Sequence, residues 1–126
     1  LHHCIIKLKS MEENVILNKT YNFALRIIKL HKFLNKEKQE YTLSKQILRS
    51  GTSIGANAEE ASGSISKKEF RAKFFISYKE ARETRYWLRL LRESDYIDKK
   101  LAESLISDTD EILKILGTIL KTVSNK

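Results

Sequence analysis

The sequence predicts an all-α fold, an antiparallel up-and-down four-helix bundle, on the strength of three observations. Both strong helix breakers are nearly absent, with no proline and only four glycines in 126 residues. Apolar residues recur at spacings of three and four along four separate stretches, the period of helices with one buried face. The connections between those stretches are short, which makes consecutive helices antiparallel neighbours. A chain of this length, 41% apolar and 32% charged, suits one domain with its own core.

The first helix is expected over residues 18–34. Leu17, Tyr21, Ala24, Ile28 and His31 form one row, and Phe23, Ile27, Leu30 and Leu34 form a second beside it, together a broad stripe. Lys36 to Glu40 read as a polar connection. The second helix spans residues 43–62, with Gly51, Gly55, Ala58 and Ser62 spaced four, three and four apart on one face. Such small side chains let a neighbouring backbone come close. Glycine inside a helix costs up to ~1 kcal/mol relative to alanine, so close packing must compensate. Polar residues around Gly51-x-x-x-Gly55 set it apart from a membrane dimer motif. Gly63 offers a left-handed stop.

Ser66 and Glu69 form a capping box that opens the third helix. It runs to about residue 95, ~45 Å at ~1.5 Å per residue. Phe70, Phe74, Ser77, Ala81, Thr84, Leu88 and Leu91 mark its core face. Ile76, Trp87, Ala72 and Leu90 flank that row and widen the apolar arc beyond the needs of four helices, a surplus that self-association would cover. The fourth helix covers residues 98–123, with Leu101, Leu105, Ile112, Leu116, Ile119 and Val123 as its stripe. The bundle domain is thus expected over residues 14–126. Residues 1–13 are expected to be an N-terminal extension, disordered or foreign to the natural chain. Met11, the only methionine, is the expected natural start, which leaves His2 and His3 without functional meaning.

The single cysteine, Cys4, excludes a disulfide within the chain, so a reducing cytoplasm is the simplest setting. No apolar run approaches the ~20 residues of a membrane span, and residues 1–10 lack the apolar core of a signal peptide. The net charge is +8 and unevenly placed. Lys and Arg outnumber Asp and Glu by 10 to 4 in residues 1–49 and by 9 to 5 in residues 66–95, while residues 96–126 balance at 5 to 5. A polyanion, RNA or DNA, is the partner this balance suggests; a merely solvated surface is the alternative.

The third helix is more specific. At ~100° per residue, Arg71, Arg82, Arg85 and Arg89 share one narrow arc, with Phe75, Tyr78 and Tyr86 in or beside it. Guanidinium groups pair with phosphates, and aromatic rings stack on unpaired bases. The same residue types are enriched at protein interfaces, so an assembly scaffold without nucleic-acid binding stands as the alternative. Ser53, Asn57 and Glu60 on the second helix and Glu83 on the third are expected to form an interhelical polar network that fixes register.

No enzymatic centre is expected. Di-iron bundles need Glu-x-x-His pairs, and none of the three histidines has a glutamate three residues before it. There is no glycine-rich phosphate loop and no zinc-ligand spacing, so neither metal nor cofactor is expected. Arg26 and His31 form an Arg-x4-His pair resembling the motif of HEPN ribonucleases, where the two residues flank a scissile phosphate. Here the pair sits in the first helix, whereas those enzymes carry it in a late one, and His31 adjoins the apolar stripe.

Two longer blocks resemble a known family. Gln46-Ile-Leu-Arg-Ser-Gly-Thr-Ser-Ile-Gly-Ala-Asn-Ala-Glu-Glu-Ala61 and Lys79-Glu-Ala-Arg-Glu-Thr-Arg-Tyr-Trp-Leu-Arg-Leu-Leu91 are similar, in order, to the two signature blocks of the four helix bundle protein family, also called the 23S rRNA intervening-sequence protein family. The resemblance covers residues 14–123. It implies an up-and-down bundle, ring-like homopentamers and no established enzymatic activity. It also implies kinship with the accessory protein of diversity-generating retroelements, a basic pentameric barrel that binds nucleic acid beside a reverse transcriptase. Asn57, Glu60 and Glu83 match the family's polar positions. Ala61 replaces a glycine found in many members, and Lys79-Glu80 replaces a small Gly-Ser pair, as in one subgroup.

Overall fold

A computed structural model describes the backbone of residues 2–124 and the side chains of residues 11–123. Four helices follow one another: α1 (His2–Lys38), α2 (Thr42–Ser62), α3 (Lys67–Glu93) and α4 (Lys99–Ser124). Each packs on its two neighbours around the ring, α1 on α2, α2 on α3, α3 on α4 and α4 on α1, which is the predicted antiparallel bundle. The backbone of α1 begins well before residue 18, because nothing in that stretch stops a helix. The side chains of His2, His3 and Cys4, and the reading of residues 1–10 as foreign, lie outside what is described.

The core follows the predicted stripes closely in α3, where Phe70, Phe74, Ser77, Ala81, Thr84, Leu88 and Leu91 are its buried residues. In α1 only the second row is central. Ile16, Phe23, Ile27, Leu30 and Leu34 are buried, whereas Tyr21 is 61% exposed. The row of Leu17, Tyr21, Ala24 and Ile28 lies along the flank, since two rows ~100° apart cannot both point inward. Ala102, Ile106 and Thr109 join the fourth stripe, and Leu101 is only half-buried.

The small face of α2 meets α1. A Cβ on Gly51 would lie 2.8 Å from both γ carbons of Ile27, and one on Gly55 would lie 3.3–3.4 Å from Thr20, including its backbone carbon. The α2–α3 seam holds buried hydroxyls: Ser77 Oγ donates to the Ile54 carbonyl at 2.8 Å, and Thr84 Oγ1 lies 2.8 Å from Ser50 Oγ. The α1–α4 seam is the sparsest, and charges bridge it. Lys19 pairs with Glu111 at 2.6 Å, and Arg26 with Asp108 at 2.6 Å.

The helix ends depart from expectation in one respect. Gly63 closes α2 at φ −88°, so no left-handed stop is used there. Left-handed conformations fall instead on Gln39 (φ 50°) and Asp95 (φ 61°), behind α1 and α3. At Asp95 the Tyr96 amide bonds the Leu91 carbonyl and the Asp95 amide bonds the Arg92 carbonyl, the paired bonds of a Schellman stop. Aspartate tolerates that conformation better than most residues. Ser66 caps α3 as expected, its side chain accepting from the Glu69 amide at 3.0 Å. Two further caps come from acids: the Glu40 carboxylate accepts from the Leu43 and Ser44 amides, and Asp98 accepts from the Leu101 amide. Carboxylates there also oppose the positive end of the helix dipole.

Candidate nucleic-acid interface on the third helix

The arginine arc lies on the outer surface of α3, on the side nearer α4. Tyr78, Arg82, Arg85, Tyr86 and Arg89, with Asp110 and Leu113 of α4, line one groove of about 380 Å³. The arc forms because positions three, four and eleven apart return to one helix face, which lies ~100° around α3 from the core row, beside α4. Arg82 and Arg89 are exposed and form no ion pair with a carboxylate among the described residues. Arg85 differs: its Nε is 2.7 Å from Asp110 Oδ1, with both side chains about half-exposed. Arg71 is exposed at the start of the row and already engaged in an interaction.

Aromatic rings stand among these cations. Tyr86 is 50% exposed and meets Trp87 edge-on, with ring centres 5.3 Å apart. Phe75 is 46% exposed with the Lys79 ammonium 5.7 Å from its ring centre, and Tyr78 is half-buried against the core. Exposed Ile76 and Ala72 continue the apolar side of this face, while Trp87 packs partly on the core.

The four residues assigned to a polar network divide into two pairs. Ser53 Oγ donates to the Arg49 carbonyl and Asn57 Nδ2 to the Ser53 carbonyl, so both bond to their own helix and do not bridge α2 to α3. Short polar side chains in mid-helix reach back to the preceding turn more readily than across a seam. Glu60 and Glu83 do cross it. Glu60 pairs with Lys73 at 2.7 Å, and Glu83 pairs with Arg49, which also contacts Glu80 at 3.2 Å. Burial pushes the Glu83 carboxyl up, but the Trp87 indole N–H (3.0 Å) and the Arg49 guanidinium outweigh it and hold it below the usual carboxylate range. The bond that Arg49 donates to Glu83 chiefly raises the Arg49 pKa, and the bond that Lys73 donates to Glu60 chiefly raises that of Lys73.

Arg49 and Lys73 are the cross-seam cations that the sequence pattern did not single out, and Asp110 is the unexpected acid of the arginine groove. Each pairs with a residue of another helix, so only the packing shows which charges face each other.

Arg26 and His31 face different neighbours. Arg26 binds Asp108 and Ser104 of α4. His31 turns to α2, with Nδ1 3.1 Å from the Ser44 carbonyl and Nε2 3.1 Å from Asn35 Nδ2. A carbonyl only accepts, so Nδ1 carries the proton and Nε2 is left as acceptor. Five residues apart on a helix, the two side chains diverge by ~140° and do not converge on one phosphate. Among the described residues no cluster of His, Cys, Asp and Glu could hold a metal ion, and no described helix is long and apolar enough to cross a membrane.

A four-helix bundle with a glycine-faced second helix and an arginine–tyrosine groove on its third defines the class. Residues 12–118 match the model of the 23S rRNA-intervening sequence protein family, and the chain belongs to that family. It is similar to the crystal structure of a protein of unknown function from the S23 ribosomal protein family of Bacteroides thetaiotaomicron, with 50% identity and a TM-score of 0.87, covering 88% of this chain and 99% of that one. No curated protein matches it.

Proposed function

We propose that this chain is a non-enzymatic, homo-oligomeric bundle of the reducing cytoplasm that binds RNA or DNA through the basic face of α3. The observation that supports this reading is the row of Arg82 and Arg89, exposed beside Tyr78 and Tyr86 and ion-paired to no carboxylate among the described residues. Other described arginines are ion-paired: Arg26 with Asp108, Arg49 with Glu80 and Glu83, and Arg92 with Glu93. A row kept open suits an incoming polyanion. Affinity from such contacts comes mainly from released counterions and carries little sequence readout.

The names of the family and of its Bacteroides relative both refer to ribosomal material, which makes structured ribosomal RNA the first ligand to try. A titration of the labelled RNA at two salt concentrations is expected to show binding that weakens steeply with salt. Absence of binding at low salt ends the proposal. The second reading, a protein assembly scaffold, draws on exposed Phe75 and Ile76 beside the same arc. Arg82→Ala with Arg85→Ala separates the two. An intact oligomer, pentameric by light scattering, with weaker RNA binding supports the first; a dissociated one supports the scaffold.

A further inference from the structure

We infer that the α3–α4 groove takes an unpaired nucleic-acid strand, one of whose phosphates displaces Asp110 from Arg85. The inference rests on the nucleic-acid reading above and makes it more specific. Two features of the groove point this way. First, its cations are interleaved with ring faces and edges instead of standing alone. Tyr78 and Tyr86 line it with Arg82, Arg85 and Arg89, Tyr86 is half-exposed, and Trp87 buttresses its ring from the side. A duplex offers phosphates and groove edges but keeps its base faces stacked inside, so an exposed ring finds nothing to stack on. An unpaired strand offers both phosphate and base, and ring stacking is tolerant of sequence.

Second, Asp110 is the only acid among the described residues that line this groove, and it holds Arg85 through a single contact at Nε, 2.7 Å long, while about half-exposed itself. An exposed pair of this kind is worth little in water. A phosphate can take the guanidinium with two parallel bonds where Asp110 makes one. The carboxylate therefore occupies the place a phosphate would take at Arg85 and opposes binding by its own charge. Neighbouring acids of α4 do not share this role, because Asp108 and Glu111 face α1 and are paired with Arg26 and Lys19.

The test uses the full chain, a fluorescently labelled mixed-sequence single strand and the same sequence as a duplex, by anisotropy over a series of salt concentrations. The single strand is expected to bind at least tenfold more tightly than the duplex. Tyr86→Ala should remove roughly five- to 150-fold of single-strand affinity, the range for one stacked base. It should leave duplex binding unchanged, and Tyr86→Phe should retain the preference. Asp110→Asn should tighten single-strand binding and steepen the slope of log affinity against log salt by up to about 0.7, one phosphate's worth on a single strand, because no displaced carboxylate is left to draw a cation back from solution. Equal or tighter duplex binding, or an unchanged salt slope in Asp110→Asn, overturns the inference while leaving nucleic-acid binding in place. If neither oligonucleotide binds at low salt, the broader reading falls with it. Circular dichroism of each variant confirms that the bundle is intact.

Discussion

Replacing Gly51 with alanine should destabilise the bundle through one contact, the approach of α2 to Ile27. The new Cβ would lie 2.8 Å from Ile27 Cγ1, 2.8 Å from Cγ2 and 3.2 Å from Cβ. Both γ carbons branch from a β carbon with one strongly preferred rotamer in a helix, so neither can swing aside cheaply. Overpacking of this kind costs about 1–3 kcal/mol, and two simultaneous clashes in a fully buried site place it in the upper half. Alanine returns about 0.5–1 kcal/mol through helix propensity. The net loss should be about 1–2 kcal/mol. In an Ile27→Ala background both offending carbons are gone, and only the 3.2 Å contact to Cβ remains. There Gly51→Ala should turn neutral or mildly stabilising, although Ile27→Ala itself costs about 2–5 kcal/mol. Urea unfolding of the four proteins, followed by circular dichroism at one fixed protomer concentration, gives the coupling between the two sites, about 2 kcal/mol. An identical shift from Gly51→Ala in both backgrounds would refute the steric account.

The fourth glycine supplies a contrast. A Cβ on Gly117 meets nothing within 4 Å, so Gly117→Ala should stabilise by about 0.5–1 kcal/mol in the same urea assay. Glu83 has a folded-state pKa below its unfolded one, so its stabilising contribution is present above about pH 4.5 and is lost as pH falls through the folded value. Thermal unfolding at pH 7 and pH 3 should therefore show a smaller acid-induced drop in Glu83→Gln than in the parent. Thr84→Val keeps the shape but leaves the buried Ser50 hydroxyl without its interhelical partner, which should cost about 1–3 kcal/mol by chemical denaturation. Asp98→Ala removes the cap of α4 and should cost about 0.5–2 kcal/mol, visible as faster amide exchange in its first turn.

The fold was legible because its determinants are local and periodic. The core row of α3 could be read position by position, since a helix buries one face and seven residues shared it. The same periodicity could not decide between the two rows of α1, because both are apolar. Which one points inward depends on where α2 and α4 sit, and exposed Tyr21 shows the outcome. Gly63 misled because glycine permits a left-handed stop without requiring one, whereas Gln39 and Asp95 adopt it under the pull of the chain reversal. At the candidate site, the arginine arc was visible from spacing alone. The pairing of Arg85 with Asp110, and of Arg49 with Glu80 and Glu83, joins residues of different helices, and no single-helix pattern contains it.

The seam between α1 and α4 differs from the others in connectivity as well as in chemistry. The other three seams each join helices linked by a short turn, so opening one of them leaves its partners tethered. The first and last helices have no such tether, and the bridges between them are half-exposed ions that mobile salt can replace. Breathing of the bundle should therefore begin along this line, with the central hairpin and its buried hydroxyls the last part to loosen. The bundle is a closed ring in space but an open one in covalent terms, and ionic strength acts first on the side where the chain does not close it.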